Sequence, residues 1–337
     1  MTLESATDGA IIYYTTNGNT PTASSTMYTS PINLSANTLL RAVAVKDGMA
    51  NSDVMTENYN IIKVNVALPL SHIMAAIPAG TFTMGSPTTE PHRFIDEIQH
   101  QVTLSGFKMG VYQVTQELYQ AVMGTNPSYF HGGSGREPAS GEVQGRRPVE
   151  RVSWYDALVF CNKLSVMEEL SPAYSINGST DPAAWGTVPT SLSGNSTWNA
   201  AIVVSGSTGY RLPTEAQWEY ACRAGTTTAY NTGADISDDI GWYNSNSNNM
   251  MHEVGKKPAN EWGLYDMHGN MYDWCWDWEG TYPSMAETDP TGPNSGSGRV
   301  VRGGYFRAST RNIRSAYHTY SLPSSRYYGY GFRLVCP

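Results

Sequence analysis

Residues able to do acid–base, thiol or metal chemistry are spread thinly along this chain of 337 residues. Cys161, Cys222, Cys275 and Cys336 stand far apart, with no Cys-x-x-Cys pair to hold a metal or run a dithiol reaction. Isolated buried thiols are the favoured reading of them, with one disulfide as the alternative. His92, His100, His131, His252, His268 and His318 show no His-x-x-His spacing, and Asp238-Asp239 reads as a solvated loop pair. The tail is different. From Arg302 to Arg333 it is crowded with Tyr, Arg, Ser and Gly, with Asn312 among them, while Lys, Glu, Gln, Trp and Met are missing. That set suits recognition: Tyr offers large rigid contact area at low entropic cost, and Ser, Gly and Asn adapt their hydrogen bonds. Arg307, Arg311 and Arg326 add contacts to carboxylates or rings, with Arg326 also readable as scaffold.

Composition limits the alternatives. Charged residues make up 15% and aromatics 11%, the profile of a globular chain. A net charge of −8 argues against broad nucleic-acid or anionic-membrane binding. No apolar run approaches the roughly 18 residues a membrane span needs. Met1 to Glu4 reads as the inside of a strand with no leader before it, so targeting is not legible.

Two regions must position these residues. Residues 1–62 carry no helical period. Ile11 to Thr16 is a β-rich run followed by the turn Asn17-Gly18-Asn19, and Leu39 to Val45 alternates with strand period. A small antiparallel sandwich is expected there, then a connector at 63–76. The second region, 77–337, is predicted to hold strands around Phe82 and Met84 and from Val102 to Val114. Three helices follow. One runs Gln116 to Met123 between Thr115 and Gly124; a second begins at Ser153 with Asp156; a third runs to about Arg223 behind the Thr214/Gln217 capping box. Residues 171–209 read as a long loop with a hairpin from Trp198 to Val204. The stripe Trp274, Trp276, Trp278 has strand period and reads as core rather than a sugar platform.

Several phrases carry a family resemblance. Gly9-x-x-Ile12-Tyr13-Tyr14-Thr15-Thr16-Asn17-Gly18-x-Thr20-Pro21-Thr22 resembles the immunoglobulin-like module at the C-terminus of chitobiases. Ile77-Pro78-Ala79-Gly80-x-Phe82-x-Met84-Gly85-Ser86, Pro148-Val149-x-x-Val152-Ser153-Trp154 and Tyr210-Arg211-Leu212-Pro213-Thr214-Glu215-Ala216-x-Trp218-Glu219-Tyr220 resemble formylglycine-generating enzymes. So do Asn260-x-Trp262-Gly263-Leu264-Tyr265-Asp266-Met267-x-Gly269-Asn270, Arg299-Val300-Val301-Arg302-Gly303-Gly304 and Gly331-Phe332-Arg333. The resemblance implies an α+β fold, the compact C-type-lectin variant of those enzymes, behind a small all-β immunoglobulin-like domain. In the family two copper-binding cysteines stand four and nine residues beyond the second glycine of Arg-Gly-Gly. Here those positions are Ala308 and Ile313, so neither copper binding nor oxidase activity is expected. The resemblance further implies a structural calcium site from Asp266, the carbonyls of Gly269 and Met271, and Asp273; the competing reading is that the two aspartates cap turns.

The skewed tail is the set produced when the adenines of Asn codons are replaced at random. On this fold, with a cassette ending in Gly-Phe-Arg, it resembles the variable proteins of diversity-generating retroelements, whose 3′ coding end is rewritten from a template copy. That implies a non-enzymatic surface protein with a variable region at about 299–337. Its ligand-binding positions would be Tyr305, Phe306, Arg307, Ser309, Asn312, His318, Tyr320, Ser321, Ser325, Tyr327, Tyr328 and Tyr330. Arg302, Gly303, Gly304, Arg314, Gly331, Phe332 and Arg333 would be fixed scaffold. The partner would be a protein or other surface ligand and not nucleic acid. The resemblance places the protein on the bacterial cell surface, attached only through a lipid anchor outside this sequence. A carbohydrate-binding lectin and a family enzyme with altered chemistry are the alternatives.

Overall fold

The computed structural model describes residues 1–32, 34, 38–59, 72–133, 135–192 and 194–337. The chain divides into two units, Met1–Ala67 and Leu68–Pro337. In the first, β1 (Ile11–Thr15), β2 (Thr26–Met27), β3 (Thr38–Val45) and β4 (Met55–Tyr59) form one antiparallel sheet in the order β2-β1-β3-β4. Leu40, Ala42 and Val43 of β3 supply its buried side chains. Residues 1–4 are irregular, contrary to the strand expected there. Met1 and Ile32 exchange backbone bonds as a single pair, too short to extend a ladder.

Most of the expected 63–76 connector lies outside the described residues. Its last part is not a connector: β5 (Met74–Ile77) already pairs with β8 (Phe107–Gly110). Between them, β6 (Gly80–Met84) pairs with β7 (His100–Leu104). The strand expected from Val102 to Val114 is therefore two, broken at Ser105-Gly106. The Ser105 backbone N–H and hydroxyl turn aside there to donate to Asp289.

The helices follow their caps. Thr115 accepts from Leu118 N at the head of α1 (Gln116–Met123), and Gly124 ends it with φ 77°. Ser153 and Asp156 form a capping box for α2 (Trp154–Met167). The expected hairpin at Trp198–Val204 is absent. Asn195 instead caps the short α3 (Ser196–Asn199), which buries Trp198 against Tyr155 and Trp185. The strand after it, β10 (Ile202–Val203), pairs back to β9 (Tyr174–Ser175). Thr214 and Gln217 box the start of α4 (Glu215–Arg223), whose every residue is buried.

Beyond α4 the chain is mostly irregular around strands. These are β11 (Tyr272–Trp278), β12 (Glu287–Thr288), β13 (Arg299–Arg302), β14 (His318–Ser321), β15 (Tyr330–Gly331) and β16 (Val335–Cys336). The central sheet runs β14-β13-β11-β15, with β14 and β15 as its outer strands. Trp154 Nε1 donates to Cys275 O and Trp274 Nε1 to Val152 O, both at 3.0 Å, tying the head of α2 to β11. Phe332 enters the helix core beside Phe160, which stacks on Tyr119. The aromatic stripe of β11 is core, with Arg299 laid over Trp154 and Trp278. All four cysteines are buried and unbonded to one another.

Candidate ligand-binding face

Three buried arginines pin the tail to the rest of the unit. Arg302 meets Glu215 and Glu219 and donates to the carbonyls of Ser315 and Tyr317. Arg314 pairs with Glu97 and Glu90. Arg333 pairs with Asp273 and donates to the carbonyls of Gly110 and Tyr265. Planar guanidinium forks suit such multidentate sites. Gly303 and Gly304 hold left-handed backbone (φ 91° and 77°). A Cβ on Gly304 would lie 2.5 Å from Ile313 Cγ2 and 2.7 Å from Asn312 O, so a side chain has no room.

Between these pins the chain offers one aromatic cluster. Tyr327 and Tyr328 rings lie 4.2 Å apart between centroids, Tyr327 and Tyr330 5.3 Å. Tyr305 stacks on Tyr272, and its hydroxyl meets that of Tyr327 at 3.4 Å. Arg307, exposed, donates to Tyr328 Oη at 3.1 Å. Thus Tyr305, Arg307, Tyr327, Tyr328 and Tyr330 are brought together, Arg307 exposed and the four tyrosines partly so. Ser309 and Asn312 are partly buried and spend their side chains on each other (2.7 Å) around the short turn Thr310–Ile313. Ser325 sits in a turn closed on Leu322 O.

Two expectations need correction. Phe306 is not exposed: it is 0% accessible and packs edge-on to Phe130 at 5.5 Å beside Met251 and Met271. It is core, because the chain must turn inward once between Tyr305 and Arg307. His318 is turned to the scaffold. Its Nδ1 lies 3.1 Å from Glu215, and its ring stacks on Tyr282. Burial acts to lower its pKa, but Glu215 outweighs that and raises it. Burial likewise acts to raise Glu215, yet Arg302 and His318 hold it down at about 2. Tyr320 (51% exposed) and Ser321 lie on β14, opposite Val300 and Arg299. Tyr330 is on β15 opposite Tyr272, so the sheet carries these two groups on opposite outer strands.

The face also recruits residues outside the tail. Tyr129 lies 6.5 Å from Tyr328, with the Arg136 guanidinium 3.8 Å and that of Arg151 5.0 Å from its ring centroid. Glu150 holds this loop from beneath. Its Oε1 accepts from Phe130 N at 2.7 Å, while Oε2 is buried without a partner. Burial pushes its carboxyl up to about 7, against the pull of the Phe130 and Tyr129 backbone N–H groups and of Arg151 and Arg147. Sequence reading missed this segment, although 124–141 shares the Gly and Ser richness of the tail.

Where the family keeps its cysteines, Ala308 and Ile313 are buried with Ala229, Tyr230, Ile240 and Tyr243. That apolar lining offers no soft ligand. The predicted calcium positions are buried as well. Asp266 Oδ1 and Asp273 Oδ1 have no hydrogen-bond partner, nor does Gln113 Oε1, whose amide donates to Met271 O at 2.7 Å. Buried carboxylate and amide oxygens left without a partner are of the donor type that suits a hard cation. Asp273 Oδ2 and Asp266 Oδ2 are already taken by Arg333 and Gly255 N. Gln113 was not foreseen, having no motif spacing. Among the described residues no group of three or more His, Cys, Asp or Glu side chains suits a metal. Clefts of about 310 and 460 Å³ lie elsewhere, lined among others by Phe107, Arg211 and Trp276 and by Asp277, Tyr282 and Pro293.

Residues 67–336 match the sulfatase-modifying factor enzyme 1-like domain family, and the chain belongs to it. Residues 1–56 match the chitobiase/beta-hexosaminidase C-terminal domain. Treponema denticola variable protein 1 has a similar solved structure, with a TM-score of 0.71 and 41% identity over 78% of this chain and 94% of that one. A Paenibacillus barcinonensis protein named chaperone protein LppX is 35% identical over 64% of this chain and 75% of its own. The mouse formylglycine-generating enzyme is 25% identical over 78% of this chain and 74% of its own.

Proposed function

We propose that the tail face of the large unit is a non-enzymatic binding surface for proteins, diversified at its exposed Tyr, Arg and Ser positions by a retroelement. One observation carries this reading: replaceable aromatic and polar side chains stand outward on a frame of buried Arg, Gly and Phe. Arg302, Arg314, Phe332 and Arg333 are all buried, while Arg307 and Tyr320 are exposed and Tyr305, Tyr327, Tyr328 and Tyr330 are partly so. Changing such a surface leaves the frame's hydrogen bonds intact, which is what repeated rewriting of a gene end requires. The buried apolar pair Ala308 and Ile313 speaks against copper-thiol chemistry. A surface that presents Tyr clusters rather than a closed cleft suits a macromolecular partner. The structural likeness to a variable protein agrees with this. Presentation at the bacterial cell surface through a lipid anchor belongs to the same proposal. So does a structural calcium ion held by Asp266, Asp273 and the carbonyls of Gly269 and Met271, with Gln113 Oε1 added.

The gene tests the diversification directly. The DNA near it should carry a near-copy of the tail-coding segment beside a reverse-transcriptase gene. The copy should differ only at adenines, falling in the codons for 305, 307, 320, 327, 328 and 330 and sparing those for 302, 314, 332 and 333. Differences scattered over frame codons, or no such copy, would refute it.

A further inference from the structure

The face carries more positive charge than its chain. Arg136 and Arg151 lie over the Tyr129 ring and Arg307 bonds Tyr328, on a protein of net charge −8. Among the described residues none of these three guanidinium groups pairs with a carboxylate. The acids close by make no ion pair with these guanidinium groups: Glu137 accepts from the Arg136 backbone N–H, and Glu150 is buried beneath the loop. Stacking on Tyr129 orients the Arg136 and Arg151 guanidinium groups while leaving their N–H edges free to donate, whereas Arg307 donates to Tyr328 Oη and to Asn249 O. Tyr129, Arg136 and Arg151 also lie outside the 299–337 tail, so they stay the same whatever the tail becomes.

We infer that Tyr129, Arg136 and Arg151 form a constant half of the binding face, which selects partners bearing exposed carboxylates, and that the tail chooses among acidic polypeptides. The inference rests on the reading of the tail face as a binding surface. The edges of Arg136 and Arg151 present parallel N–H donors to a carboxylate, and the tyrosines flank that contact with apolar area. Rim charges of this kind act on encounter rate and on partner choice, and their effect is screened by salt.

The test uses the full chain and a fluorescein-labelled peptide of eight Glu-Gly repeats, with Gln-Gly and Lys-Gly peptides and a 16-nucleotide oligo-dT as comparators, read by anisotropy. The Glu-Gly peptide is expected to bind at low salt and to weaken about tenfold between 20 and 200 mM NaCl. The Gln-Gly and Lys-Gly peptides are expected not to bind. The double variant R136E/R151E should lose binding by about tenfold or more with unchanged tryptophan fluorescence. If that variant folds poorly, the milder R136Q/R151Q should show a smaller loss in the same direction. Equal binding by Gln-Gly, equal binding by the charge-reversed chain, or oligo-dT binding as tightly as Glu-Gly would overturn the inference. If tail libraries still yield binders to the face that are indifferent to these arginines, the acidic-partner inference fails while the binding-face reading stands.

Discussion

Glu150 offers a quantitative test of how the Tyr129 loop is held. Its carboxyl is buried, uses one oxygen on Phe130 N and leaves the other without a partner. The folded protein therefore keeps a proton there up to about pH 7, whereas an unfolded chain releases it near 4.5. The folded pKa is raised, so folding stability falls as pH climbs from about 4.5 to about 7 and is flat above. At about 1.4 kcal/mol per pH unit, that window amounts to about 3 kcal/mol lost by neutral pH. Replacing Glu150 with Gln keeps the acceptor for Phe130 and removes the ionisation. An unpaired amide N–H₂ then costs about 1 kcal/mol. Glu150→Gln should therefore be about 2 kcal/mol more stable than the parent at pH 8 and no more stable at pH 4.5. Urea melts followed by tryptophan fluorescence read this cleanly, because all nine tryptophans lie between residues 154 and 278, in the large unit. Parallel stability-versus-pH curves for the two proteins, or a variant weaker at pH 8, would show that the buried carboxyl is compensated in some other way.

Other predictions concern the frame. Arg314→Ala strands Glu97 and Glu90 in the interior and should cost about 3–5 kcal/mol, against less than about 0.5 kcal/mol for exposed Arg311→Ala, in the same melts. The His318–Glu215 pair contributes stability that is fully present below about pH 6.5 and is lost as pH rises through the raised His318 value; His318→Gln should flatten the curve there. Calcium at a hundredfold excess over its Kd should stabilise the large unit by about 2.7 kcal/mol, reversed by chelator. Asp273→Asn should abolish that calcium effect, and a melt unchanged by calcium would count against the site.

Much of the frame was legible in the sequence because it is local. The Thr115, Ser153 and Thr214 caps announce three helices whose ends follow from them. The Arg-Gly-Gly phrase reads as a tight turn because only glycine fits against Ile313 and Trp218. What was not legible is long-range. Phe306 is aromatic and within the same codon reach as its neighbour Tyr305, and only its partner Phe130 makes it core. His318 looks like a surface polar residue until Glu215 is brought across from α4. Tyr129 and Arg136 join the face through a ring contact to a residue nearly two hundred positions away, which no periodicity reports. Gln113 is in the same position: its orphaned oxygen becomes meaningful only beside Met271 O.

The central claim is that the tail face can be rewritten without cost to the fold and gains partners thereby. The direct measurement is a pair of displayed libraries of the full chain. One is randomised over Tyr305, Arg307, Tyr320, Tyr327, Tyr328 and Tyr330, the other over Arg302, Phe306, Ile313, Arg314, Phe332 and Arg333. Both are sorted first for folded display and then against several unrelated purified proteins. The first library should stay largely folded and yield specific binders to most targets, and the second should lose folded display. Equal loss of folding in the two libraries, or a folded first library that yields no binders, would contradict the account.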